Sequence, residues 1–358
     1  MKNLLLLSLI FLISCTQPTF EEAGGVRVVL EASNANNTEI ERIKFILTKR
    51  LNAFGIDNPI IRPGDKPELI VVEIPGKVND LQRLRKLLQS SAKLEFWETY
   101  ENAEMYENLT KLNTALSEEL YPELKDTVVE EKVVVKEGTS MEEQFAAQKS
   151  EKEIEEERMM NAQKKNPVFA LLTPSLRYNA RQQPEALRDG PVVGMALAKD
   201  TAIINSYLNS PTSKKIFGSK VKFLWTHEPL KEANGDIYEL IAIKVNRNGK
   251  AALWDNVVED ANVDDSEFGL QILMSMTKTA AIDWQKLTRD NVGRAIAIVL
   301  DDQVYSYPIV NGEISGGKAS ISGNFTKQEA KDFANVLKVG CLPVAVGIVQ
   351  EEEVAGKK

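Results

Sequence analysis

The run Val26–Glu31 (VRVVLE), apolar at four of its six positions, predicts a strand. Ile40, Ile43, Ile46, Leu47, Leu51 and Phe54 then recur at helical spacing, with Asn37 or Thr38 as N-cap and Gly55 as stop. Pro59–Arg62 reads as a short strand and Glu68–Ile74 as a clear one, ended by Pro75-Gly76. Asp80–Leu88 has a helical pattern, and Ala92–Glu98 alternates as a closing strand. Residues 24–99 thus give βαββαβ, the order of a ferredoxin-like, two-layer α+β unit.

The pattern then changes. Residues 100–190 read as a charged, mainly helical insertion: a helix over Glu101–Leu120, a strand-like run at Thr127–Val135, and a solvated Glu/Lys-rich helix from Glu142 to Lys165. Residues 191–350 return to α+β. Strands are predicted at Val192–Ala198, Val221–Thr226, Ile237–Val245 and Leu270–Met276, with a short helix near Thr201–Leu208. A helix over Lys278–Asn291 carries Ile282, Trp284 and Leu287. Ala295–Leu300, Asp301-Asp302 and Gln303–Pro308 form a hairpin with a two-residue turn. A strand at Lys318–Ser322, a helix over Thr326–Lys338 and a strand at Pro343–Val349 follow, and residues 351–358 read as a polar tail.

The start of the chain follows another logic. Lys2 precedes Leu4–Ile13, where Ser8 is the only polar residue. Ten helical residues reach about 15 Å, half of a hydrocarbon core, so the stretch fits a secretory signal and is too short to span. Leu12-Ile-Ser-Cys15 resembles the lipobox of bacterial lipoproteins, in which the signal is cut before a cysteine whose thiol takes the lipid. Residues 1–14 are then the signal, Cys15 the lipidation site and residues 15–23 a linker; several acyl chains would hold the domain on a membrane. The alternative is an ordinary signal or short anchor with an incidental cysteine. The expected location is the cell envelope, on the inner or outer membrane, with the domain facing the periplasm.

Composition removes whole classes of chemistry. A net charge of −8 argues against a nucleic-acid surface. One histidine, His227, excludes a His-pair metal site, and two cysteines, Cys15 and Cys341, exclude a disulfide framework. Cys341 reads as a small apolar residue, and His227 as an exposed turn histidine. Gly312–Ser320 has phosphate-loop residue types at the wrong spacing and precedes a strand. Asp264-Asp265 and Asp301-Asp302 are neighbours that cannot flank a substrate bond, and Asp260–Glu267 matches a calcium loop only loosely. No catalytic residue, metal or cofactor is expected, and the chain reads as a non-enzyme.

Longer motifs carry a resemblance. Leu287–Pro308 (LTRDNVGRAIAIVLDDQVYSYP), Ile314–Thr326 and Leu337–Pro343 resemble the first periplasmic domain of SecD, an auxiliary subunit of the bacterial Sec translocase. Gly24–Glu31, Arg50–Ile56, Ile74–Gly76 and Lys93–Glu98 are similar to it as well, the last in a form typical of SecDF fusions from the Bacteroidetes. The resemblance implies a base and a movable head, 24–99 and 191–350 here, that hold unfolded exported polypeptide beside Sec components. SecD proper begins with an uncleaved span and continues into spans thought to couple proton flow to translocation. Here a lipobox stands at the start and the sequence ends at Lys358. The expectation is therefore a membrane-tethered module that assists export without the proton-coupling spans. The alternative is an envelope lipoprotein that reuses the fold to bind another partner. No peptide-contact residue is assigned.

Overall fold

The computed structural model describes residues 20–56, 58–124, 151–230, 236–254, 256–266, 269–323 and 325–357. Cys15, the signal 1–14, most of the linker and the run Thr127–Val135 lie outside the described residues. The chain divides into two compact units, 1–91 with 341–358, and 92–340.

The first unit is built on a four-stranded antiparallel sheet in the order 347–354, 25–31, 69–75, 60–63. Val26, Val28 and Leu30 face inward from Gly25–Glu31, and Ile70, Val72 and Ile74 from Leu69–Pro75. Helix Asn37–Ala53 buries Ile40, Ile43, Ile46, Leu47 and Leu51, and helix Leu81–Gln89 buries Leu84, Leu87 and Leu88. The N-cap of the first helix is Asn36, which closes a capping box with Glu39 and so satisfies two otherwise orphaned amides.

This is the ferredoxin-like order, but the structure corrects its last member. The expected closing strand, Ala92–Glu98, forms at Leu94–Glu98 and pairs in the second unit. Gly347–Val354 closes the base sheet in its place, with Gly25 opposite Val354 and Val28 opposite Glu351. The first half of the stretch read as a polar tail, 351–354, is thus strand. Its glutamates are tolerated because arginines meet them: Arg85 Nη2 lies 2.6 Å from Glu351 Oε1 and Arg27 Nη1 2.7 Å from Glu352 Oε1.

Arg27 also contacts Glu73 at 2.8 Å and Glu21 at 3.0 Å, while its guanidinium sits 5.3 Å from the ring centre of Phe20. Phe20 begins a single helical turn, Phe20–Ala23, and is only 4% exposed. The Gly24-Gly25 pair follows because a side chain cannot fit. A Cβ on Gly25 would stand 2.0 Å from the Ile74 carbonyl oxygen, and Gly24 has φ +67°.

Among its described residues the second unit has three main sheets. Strands 173–174, 192–197, 237–244 and 221–225 form the first, in that order. Its helical layer is Asn102–Leu120, Thr201–Leu208 and Pro211–Phe217, and Met105, Leu109, Leu112 and Leu116 join Val168, Leu172, Val193, Ile204 and Leu240 in one core. Residues 100–190 are therefore not simply an insertion, since 102–120 and 166–187 carry part of this core and its neighbouring hairpin. Helix Glu151–Lys165 does expose Met159 and Met160.

The second sheet runs 303–306, 296–300, 94–98, and the third 258–266, 269–276, 318–322. Helices Lys278–Asp290 and Lys327–Val339 share a core with them through Trp284, Leu287, Phe333 and Leu337. Helix 278–290 buries Ala280, Trp284, Leu287 and Thr288; Ile282, expected on that face, is off its stripe and 69% exposed.

Candidate functional site

A cavity of about 700 Å³ lies in the second unit, lined by helices Thr201–Leu208 and Pro211–Phe217, strand Val221–Trp225 and the turn at Asp302-Gln303. Each wall has a local cause. Ser210 caps its helix by accepting from the Ser213 amide at 3.1 Å, Pro211 occupies the first turn, and Gly218 at φ +67° turns the chain into the strand. The opposite wall is a two-residue hairpin turn with φ +50° at Asp301 and +63° at Asp302, the type I′ geometry that suits strand twist. Asp301 holds it by accepting from the Lys93 amide at 3.1 Å.

The lining is amphipathic. Phe217 and Phe223 meet edge to face at 5.0 Å, and Leu208 lies beside them. The Trp225 indole donates to Asn205 Oδ1 at 2.9 Å, so its polar edge is satisfied while its ring stays with the apolar group. Lys222 Nζ and Asp302 Oδ1, 2.6 Å apart, form a polar clasp across the lining.

Strand 221–225 ends its sheet. The Thr226 amide donates to Glu239 and the Val245 amide to the Lys220 carbonyl, which fixes Lys222 and Leu224 as the residues bonded to strand 237–244. Val221 and Phe223 turn their main-chain groups the other way. Beyond them the edge is occupied, since the His227 amide donates to the Val304 carbonyl at 2.8 Å and Thr226 bridges Val304 in parallel.

A smaller cavity of about 200 Å³ includes His227, Glu239, Tyr305, Tyr307 and Phe325. His227 is not the exposed turn residue expected from sequence. It is half-buried, stacked on Tyr305 at 4.1 Å, with Nδ1 2.7 Å from Gln303 Oε1. Tyr307 Oη donates to Glu239 Oε2 at 2.6 Å. Burial, reinforced by nearby carboxylates, pushes both phenols well above the usual tyrosine range, so each is a hydrogen-bond donor at neutral pH and not a base.

The remaining motifs have structural roles. Asp260–Asp265 lies in strand Val258–Ser266, where Asp260 pairs with Lys338 at 2.6 Å and Asp265 with Lys327 at 2.8 Å. The Gly316-Gly317 run packs against helix 278–290, since a Cβ on Gly317 would stand 2.5 Å from Ala281 Cβ. Among the described residues, no group of three or more His, Cys, Asp or Glu could hold a metal, and no helix is long and apolar enough to cross a membrane. Sequence reading missed helix 211–217, and with it Phe217. The signal was present as Ser210-Pro211, an N-cap followed by proline at the first helical position.

Fold and cavity define a two-unit α+β domain with an amphipathic cleft beside a sheet edge. Its sequence is similar to the first periplasmic domain of SecD and SecDF proteins. The family model described as "SecDF, P1 head subdomain" matches residues 240–344, and that for the N-terminal part of the P1 domain matches residues 40–101. The chain is 32% identical over 328 residues to the protein translocase subunit SecD of Rhodothermus marinus, covering 90% of this chain and 47% of that one. It is 25% identical over 332 residues to SecDF of Thermus thermophilus, covering 91% of this chain and 30% of that protein. The chain thus spans about half or less of the length of these relatives. A crystal structure of SecDF in a super-membrane-facing form aligns with 93% of this chain and 31% of its own, at 23% identity and a TM-score of 0.49.

Proposed function

We propose that the chain acts in protein translocation by holding exported polypeptide, non-covalently, in the cleft between helices 201–217 and strand 221–225. The observation that carries this reading is the cleft's chemistry: half-buried aromatic rings beside main-chain groups, in a domain similar to the first periplasmic domain of SecD. Such a surface suits unfolded chain, which offers apolar side chains and unpaired backbone together. In this reading Cys15 carries the lipid that keeps the domain at the membrane, where Sec components supply the polypeptide, and no step needs a cofactor.

Site-specific crosslinking tests it. A photoreactive residue in place of Phe217 is expected to capture a stalled, translocating secretory chain in cells. The same residue at Ile282, on the exposed side of helix 278–290, is not. Equal capture from both positions would remove the cleft from the reading. Palmitate labelling lost in Cys15→Ala tests the anchor separately. Residence in the outer membrane without translocase contact would favour the alternative, an envelope lipoprotein serving another partner.

A further inference from the structure

The cleft has a feature that general apolar stickiness does not require. Along strand 221–225, the N–H and C=O of Val221 and Phe223 point away from strand 237–244 and toward the cleft side. Among the described residues no other strand pairs with Val221–Phe223. Immediately beyond, the same edge already accepts a strand, because Thr226 pairs in parallel with Val304 of strand 303–306. The notch is therefore a short break in an otherwise continued sheet. Its two sides differ: Phe217 and the rings of Phe223 and Trp225 belong to the helix-side core, whereas Lys222 and its partner Asp302 are charged and partly exposed.

Resting on the reading that the cleft takes exported polypeptide, the geometry points to strand addition as the mode of capture. An extended segment enters the notch as an extra strand, bonded through Val221 and Phe223. Its apolar side chains alternate toward Phe217 and Phe223, and its polar ones toward Lys222 and Asp302. Main-chain bonds supply affinity for any sequence, and alternation supplies the selection. The partner is thus an unfolded segment with period-two apolarity. A helix is excluded, because its own amides are already satisfied.

The test uses the full chain and a short, unstructured peptide in which Val alternates with Ser. Its alternation sets which amides face the edge. N-methylation of the edge-facing amides is expected to weaken binding by about tenfold or more, and methylation of the other set by about twofold or less. On the protein, Val221→Pro removes one edge donor without touching the bonds to strand 237–244, and is expected to weaken binding about tenfold, whereas Ile282→Ala, on the exposed side of helix 278–290, is not. Bound peptide is also expected to slow amide exchange at Val221 and Phe223, a readout that does not depend on any variant folding. If both methylated peptides bind as tightly as the parent and exchange is unchanged, strand addition is overturned while polypeptide holding stands. If the parent peptide does not bind and Phe217 captures no chain in cells, both fail.

Discussion

The ring of Phe96 lies 5.1 Å from that of Trp284, tilted by 58°, in the shared core of the second unit. This contact decides where the strand Leu94–Glu98 belongs. Leu94 and Phe96 point into a core made by helices 278–290 and 327–339, and the strand pairs residue for residue with Ile296–Leu300. Trp97, on its other face, joins Ala297 and Val299 in a second cluster. Both faces are buried, and Glu95, the one charged side chain buried there, accepts from the Trp97 indole at 3.2 Å and pairs with Lys93, so the strand is an integral element of that unit.

Phe96→Ala is expected to destabilise the second unit by about 3–5 kcal/mol through lost burial and the cavity left behind. Amide exchange resolved by residue checks the assignment: amides of 296–300 should lose protection while those of 25–31 keep theirs. Loss confined to 25–31 would contradict it.

Gly25→Ala should cost roughly 2 kcal/mol or more, because the backbone must shift to clear the Ile74 carbonyl. Denaturant unfolding followed by a probe in the first unit reads this, and Gly249→Ala, at a turn with open space but φ +74°, gives a comparison for conformational strain alone.

Arg50 is 1% exposed and donates to the carbonyls of Leu87, Ser90 and Ser91, the end of helix 81–89 and the residues after it. Arg50→Ala leaves those acceptors short of a donor in a buried place, at a cost of about 3 kcal/mol. Arg50→Lys is not expected to rescue it, since one ammonium cannot span the fork of a guanidinium. Urea midpoints for the two variants should fall together; full recovery in the lysine variant would contradict the geometry.

Acid should loosen the base through Glu73. Burial pushes its carboxyl up, but hydrogen bonds and charge from Arg62 and Arg27 outweigh this and hold it below its ordinary value of 4.5. A carboxylate depressed in the folded state contributes stability above the unfolded value and loses it as pH falls through the folded one. Unfolding midpoints should therefore drop below about pH 4.5, and Glu73→Gln should flatten that part of the profile. An identical slope in the variant would assign the acid sensitivity elsewhere.

Local pattern made most elements legible, including the hairpin around Asp301-Asp302 and helix 327–339. It could not say which sheet a strand joins. Ala92–Glu98 and Gly347–Val354 both complete sheets, and the choice rests on partners far away in sequence, Ile296–Leu300 for one and Gly25–Glu31 for the other. Charged strands were hidden for a related reason. Val258–Ser266 and Glu351–Glu353 have poor strand propensity alone, and become strands because Lys327, Lys338, Arg85 and Arg27 are brought to them by the fold. The cleft was partly legible, since Phe223 and Trp225 lie in an evident strand, whereas Phe217 needed the helix start at Ser210-Pro211 to be recognised.

The base sheet is stitched from both ends of the sequence, with Gly25 opposite Val354 and the Leu342 amide bonded to the Ser91 carbonyl at 2.8 Å. During synthesis from the N-terminus, strand 25–31 appears long before strand 347–354 arrives to cover its flank. Completion of the base must wait for the whole intervening unit, so it is the last sheet to close, and its pairing carries a high loop-closure cost that slows folding. Until then, the open flank of Val26–Leu30 is a template for any passing strand.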